Sequence, residues 1–231
     1  MRNLADKKPS VSGHRGRMRK RFLHDYGQAM ADYEILEMLL FSAFPRGDTK
    51  ALAKDLLHEF GSLAGVLNAQ SAELGRVAGV GEAAICAIKL THSANVRLLK
   101  EQITKQHIIA SWAHLVDYCR AAMGHLKVEQ VRLLLMNTKH YLITDEVIQT
   151  GTIDHTPFYP REIVKRALEL SAAGMIIVHN HPSGDPRPSD EDIEATKILK
   201  NICDSLEIRL HDHMIFGANH YFSFRNKGLL E

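Results

Sequence analysis

Cysteine is scarce in this sequence: Cys86, Cys119 and Cys203 are odd in number and far apart. That argues against a disulfide framework and fits a reducing compartment, so a cytoplasmic location is expected. There is no run of about 18 apolar residues, which excludes a transmembrane helix. Met1 to Ser12 lacks the apolar h-region of a signal peptide. Neither a phosphate-binding P-loop nor a dinucleotide fingerprint occurs, which removes the nucleotide-binding classes that those motifs mark. Repeats and low-complexity tracts are also missing. What is present is a globular mixture, 45% hydrophobic and 24% charged, with enough apolar material for a sizeable core. At roughly 100–200 residues per domain, the 231 residues make one large domain or two small ones. Fourteen histidines are many for this length and hint at metal chemistry.

The formal net charge of +2 hides an asymmetry. Residues 1–21 hold eight Lys/Arg against one acid, a net +7, and the remainder carries −5. This stretch is expected to be a basic flexible arm, either solvated or facing a polyanion such as DNA. Residues 22–103 read as a helical module. Asp32 stands where a helix cap is expected, ahead of Ile35, Leu36, Leu39 and Leu40 at helical spacing. A second helix carries Leu52, Leu56 and Leu57 and stops at Gly61, and a third holds Leu63, Val66 and Leu67. Gly79-Val80-Gly81 leads into a helix from about Glu82 to Lys100, and the polar stretch Lys100 to His107 reads as a linker.

Residues 108–231 alternate strands with helices, which marks an α/β or α+β domain. A helix is expected over 111–125, with strands at Val131 to Met136 and Tyr141 to Ile148. A helix follows over Pro160 to Ala173, with proline at its start and Gly174 after its end. Met175 to Val178 is a short apolar strand, Ser189 to about Leu206 a helix, and Ile208 to Leu210 and Met214 to Phe216 are two late strands.

The chemistry concentrates after the third strand. His179 and His181 are two apart at its end, so both imidazoles share a face. Pro182 stops the strand, a Gly/Pro-rich loop reverses the chain, and Ser189 opens a helix with Asp192 one turn in. Ser189-x-x-Asp192 is by itself a capping-box-like start. In this setting Asp192 is also a candidate third ligand. Two histidines and a carboxylate would leave a fourth tetrahedral position open, as in catalytic rather than structural zinc sites.

The run His179, His181, Ser189, Asp192 resembles the JAMM/MPN zinc metallopeptidase signature without a gap. The surrounding sequence is closer still to the bacterial RadC family. The matching pieces are Gly13-His14-Arg15, Glu34-Ile35-Leu36, Phe60 to Leu63, Gly79-Val80-Gly81, Gly151-Thr152, Pro160-Arg161-Glu162, His179 to Asp185 and Asp212-His213. The resemblance implies a JAMM/MPN-like, cytidine-deaminase-like mixed α/β domain behind a helix-hairpin-helix-like module. It implies one Zn2+ per chain on His179, His181 and Asp192. It makes Ser189 the residue that stabilises an oxyanion. It also calls for a glutamate ahead of a core strand as general base, and Glu129 is the best positional match, over Glu146 and Glu162. Asn180 stands where eukaryotic JAMM proteins have Ser or Thr, and no aromatic precedes His179.

The expected activity is hydrolysis of a peptide or isopeptide bond in a peptide or protein substrate. The alternative is a DNA-binding, repair-associated adaptor in which the basic arm and residues 79–81 touch phosphates and the zinc domain does little catalysis. No membrane partner is expected. Asp212 is a candidate for orienting a ligand histidine. The other histidines, including His14, His24, His92 and His155, read as surface or capping residues, and Cys86 and Cys119 as small core residues.

Overall fold

The computed structural model describes residues 11–151, 159–218 and 220–230. The chain forms two compact units that divide between Ala94 and Asn95. Among the described residues, no helix is long and apolar enough to cross a membrane.

The first unit is helical: α1 (Val11–Asp25), α2 (Asp32–Leu40), α3 (Lys50–Phe60), α4 (Leu63–Asn68), α5 (Ser71–Leu74) and the start of α6 (Glu82–Thr104). Leu36, Leu40, Leu56, Val66, Leu74 and Ile88 form its core. Gly61 closes α3 at φ +77°, a left-handed turn that favours glycine, and Ser62 caps α4 by accepting from Gly65 N. Ala31, not Asp32, is the N-cap of α2, and its N–H goes to Glu34.

Two boundaries expected from the sequence are corrected. Residues 11–21 are not a flexible arm but most of α1, while residues 1–10 lie outside the described residues. Buried Met18 and Arg15 pin this helix. Arg15 donates to Pro45 O at 3.0 Å and Gly47 O at 2.9 Å and lies over the Phe41 ring. The expected linker over 100–107 is largely helix, because α6 runs on to Thr104. Its last turns bring Val96, Leu99 and Ile103 to the core of the second unit, so the chain stays helical across the division.

The second unit continues through a short 3-10 turn (Ile108–Ser111) to α7 (Trp112–Met123), β1 (Gln130–Met136), β2 (Leu142–Thr150), α8 (Pro160–Glu169), β3 (Gly174–Asn180), α9 (Asp190–Ser205), β4 (Arg209–Phe216) and β5 (Tyr221–Ser223). The sheet order is β2-β1-β3-β4-β5. Among the described strands, only β3 and β4 pair in parallel, as the crossover through α9 requires. The two late strands expected at 208–210 and 214–216 are one strand, β4, which passes through His211-Asp212-His213, and β5 is additional.

Period-two alternation gives the sheet two apolar faces. Val131, Leu133, Met175, Ile177 and Ile215 meet Ile163 and Ala167 of α8 and Leu199 and Cys203 of α9. Leu134, Met136, Ile176, Val178 and Met214 meet Leu115 and Cys119 of α7. Cys119 is a buried core residue as expected, Cys203 is buried too, and Cys86, expected in the core, is exposed.

Candidate metal centre

The end of β3 carries the site. Val131 pairs with His179 in the antiparallel register of β1 and β3. Glu129 has the parity of Val131, so it falls on the face that His179 shares with α8 and α9. Glu129, His179 and His181 each offer one ligand atom, and the three atoms lie within 4.8 Å of one another. Asp192 reaches the same point from the first turn of α9. Its Oδ1 is 3.6 Å from His179 Nε2, and its Oδ2 is 3.7 Å from His181 Nε2.

Each of these side chains is held from behind. His181 Nδ1 lies 2.8 Å from Asp185 O, a carbonyl that only accepts, so the ring proton is on Nδ1 and Nε2 is a lone pair. That carbonyl sits in the reversing loop, which docks on the β4–β5 turn. A Cβ at Gly217 would lie 2.2 Å from Gly184 O, so only glycine permits this approach. Asp192 Oδ2 accepts from Ser189 N at 2.8 Å and Ser189 Oγ at 2.7 Å, and Asp192 N donates back to Ser189 Oγ at 3.1 Å. The capping box and the site are therefore one structure.

Asn180 points to the opposite face. Its Nδ2 donates to Leu126 O and Val128 O, and its Oδ1 accepts from Gln130 N at 3.0 Å. These bonds grip the backbone on both sides of Glu129. The residue between the two histidines thus sets where the glutamate stands.

Burial pushes His179 down to about 4, with Asp192 pulling it up and His181 pushing it further down. His213 is lowered well below its ordinary value, first by burial and then by His179 and His181. Both rings are neutral at pH 7, the form that binds metal. His179 Nε2 and His181 Nε2 lie 3.0 Å apart with carboxylates beside them. Two imidazole nitrogens converging with carboxylate oxygens on one point form a donor set suited to zinc.

Residues 109–229 match the RadC-like JAB domain family. The chain is also 48% identical over 213 residues to a UPF0758 protein of Rhodobacter capsulatus, covering 92% of this chain and all of that relative. The chain belongs to the RadC family. Its fold is the mixed α/β one expected, a helical part followed by a five-stranded mixed sheet with helices, consistent with a JAB/MPN-like domain. The matched JAB-like domain relates this RadC chain to the JAMM-like family and gives a family context to its candidate metal site.

The RadC fold gathers His179, His181, Asp192, Ser189 and Glu129 in one place. It sends the rival glutamates elsewhere. Glu146 is clamped by Arg166 at 2.8 and 2.6 Å, and Glu162 lies in the first turn of α8 beside Arg161. Asp212 does not orient a ligand. It binds Ser223 Oγ, Arg225 N and His213 N, and so fixes the turn after β5. The histidine that reaches the first motif is His213, whose Nε2 is 2.9 Å from His179 Nδ1. His14 is more than a surface residue, since its Nε2 lies 2.8 Å from Oε1 of buried Glu37. His155 and Thr152 lie outside the described residues.

Proposed function

We propose that this RadC chain is a zinc-dependent hydrolase acting on a peptide or isopeptide bond. The observation that carries the reading is the convergence of two histidine Nε2 atoms, the Asp192 carboxylate and Glu129 at the mouth of β3. His179, His181 and Asp192 would hold the metal. When bound, zinc supplies Lewis acidity and a hydroxide nucleophile at neutral pH. Glu129 takes the proton of the attacking water and returns it to the leaving amine. Ser189 steadies Asp192 while the site is at rest. It serves a developing oxyanion by turning its hydroxyl proton away from the carboxylate.

The test separates ligand from base. Purified protein reconstituted with zinc should hold about one ion per chain. Glu129→Gln should keep that content and lose hydrolysis of a fluorogenic isopeptide substrate by about 10²-fold or more, the scale of a lost general base. Zinc content below about a tenth per chain in the wild type after reconstitution contradicts the metal assignment. Loss of zinc in Glu129→Gln would make Glu129 a ligand instead.

A second reading, a DNA-contacting adaptor, is favoured by one observation. Arg17, Lys20 and His24 are exposed on α1 with no acid in its first turn, and they lie near one stripe of the helix. Deleting residues 1–21 would also remove Arg15 and Met18 from their buried places, so substitution is the cleaner test. If the stripe binds duplex DNA, changing Arg17 and Lys20 to Gln lowers the slope of log affinity against log salt by about two. An unchanged slope removes the stripe from consideration.

A further inference from the structure

We propose that His213 and Thr196 are positioning residues for the metal ligands. They form a one-directional hydrogen-bond relay that fixes the tautomer of His179 and ties it to the helix carrying Asp192. The proposal rests on the reading of His179, His181 and Asp192 as ligands.

The direction of the relay follows from where it ends. Thr196 Oγ1 lies 2.5 Å from Asp192 O. A backbone carbonyl only accepts, so the threonine proton is committed there. His213 Nδ1 lies 2.7 Å from the same Oγ1 and therefore donates to it. A neutral imidazole has one N–H, so His213 Nε2 is left as an acceptor. His179 Nδ1, 2.9 Å away, donates into it. The lone pair of His179 is then on Nε2, the atom that faces His181 and Asp192. Reversed polarity would leave Thr196 and His213 Nδ1 without a proton between them and would place a proton on His179 Nε2, where a metal has to bind. Asp185 O does the same work for His181, but through the loop rather than through the core.

The relay also joins three elements. His179 belongs to β3, His213 to β4, and Thr196 follows Asp192 by one turn on α9. His213 and Thr196 are buried, and the His213 ring stacks on Phe224, which holds its plane. The carbonyl that ends the relay is that of Asp192 itself, so the chain of bonds sets the ligand helix against the ligand strand.

Long-range 1H–15N spectra of the full-length, metal-free, 15N-labelled chain read the tautomer directly. His213→Gln identifies the signals of residue 213. His213 is expected with its proton on Nδ1 and a bare Nε2, and a proton on Nε2 overturns the relay. Two near-isosteric variants then test its effect on Zn2+ affinity, measured by competition with a chromophoric chelator. Thr196→Val, which removes the acceptor, should weaken binding by about tenfold or more, the usual range for an outer partner of a ligand histidine. Thr196→Ser restores the hydroxyl and should stay within about threefold of the wild type. Equal affinity for Thr196→Val and the wild type overturns the positioning role. If the wild-type chain itself takes up no Zn2+, the metal reading fails, and the spectra of the metal-free protein still decide the relay.

Discussion

His179→Ala should drop zinc from about one ion per chain to below about a tenth, the largest single effect expected at the site. The reason is positional. His179 Nε2 is the atom that both His181 Nε2 and Asp192 Oδ1 face, at 3.0 and 3.6 Å. Without it, one imidazole and a carboxylate remain, too few to compete with water for the ion. The folded chain should survive, because the lost ring leaves His213 Nε2 without its donor at a cost of about 1–3 kcal/mol. A ligand that binds only the native state stabilises it by about 2.7 kcal/mol at a hundredfold excess over Kd. The wild type should therefore show a zinc-dependent rise in Tm that His179→Ala lacks. Asp192→Ala should lose the metal as well and also the side-chain half of the α9 capping box that accepts from Ser189, about 1 kcal/mol further. Elemental analysis alongside thermal scans with and without zinc checks all three. A His179→Ala protein that keeps about one zinc per chain would move the site elsewhere.

How much of this could be read in advance depended on whether a residue's role was local in the chain. His179 and His181 are local: strand alternation puts both on one face, and Pro182 ends the strand. Ser189 and Asp192 are local too, since the capping box that spacing announces is the one that holds the carboxylate. The helices α2 to α4 were legible from apolar spacing and from the stop at Gly61. Glu129 is different. Its place was suggested by family resemblance, and the physical cause is a strand register, Val131 against His179, that no local pattern encodes.

His213 was out of reach for a sharper reason. Met175 pairs with Leu210, but Ile176 pairs with Asp212, so His211 is an extra residue in β4. Such a slip of one residue exchanges the faces of everything after it. Upstream of it the even-numbered Leu210 faces α9; downstream His213 and Ile215 do. The bulge, which the sequence does not announce, turns a second His-x-His into a support for the first. The basic stretch failed in the opposite way. Its charges dominate the composition, so it reads as solvated, while the structure is decided by Arg15 and Met18, the two side chains that turn inward.

Asp145→Ala is the substitution expected to cost the fold most, about 3–5 kcal/mol. The Asp145 side chain is fully buried on β2, on the face toward α7. It accepts from Arg132 Nη1 at 2.7 Å, from Lys100 Nζ at 2.8 Å and from the Tyr118 hydroxyl in a short hydrogen bond. Removing the carboxylate strands the Arg132 charge in a site where it has little water, and that uncompensated charge makes the loss large. The double variant Asp145→Leu, Arg132→Met should recover much of it, since an apolar pair leaves no charge to strand. Burial raises the Asp145 pKa, but the Arg132 charge and the hydrogen bonds from Lys100, Tyr118 and Arg132 outweigh it and hold the carboxyl below its ordinary 3.8. A group whose pKa is depressed by folding contributes fully above its unfolded value and loses that contribution as the pH falls through the folded one. The gap between wild type and Asp145→Ala should thus be constant near neutrality and close only below about pH 4. Trp112, the single tryptophan, begins α7 and packs against the same core, so its fluorescence follows this unit during urea unfolding. A gap under about 1 kcal/mol at pH 7 would show that Arg132 and Lys100 find other partners or water once Asp145 is gone.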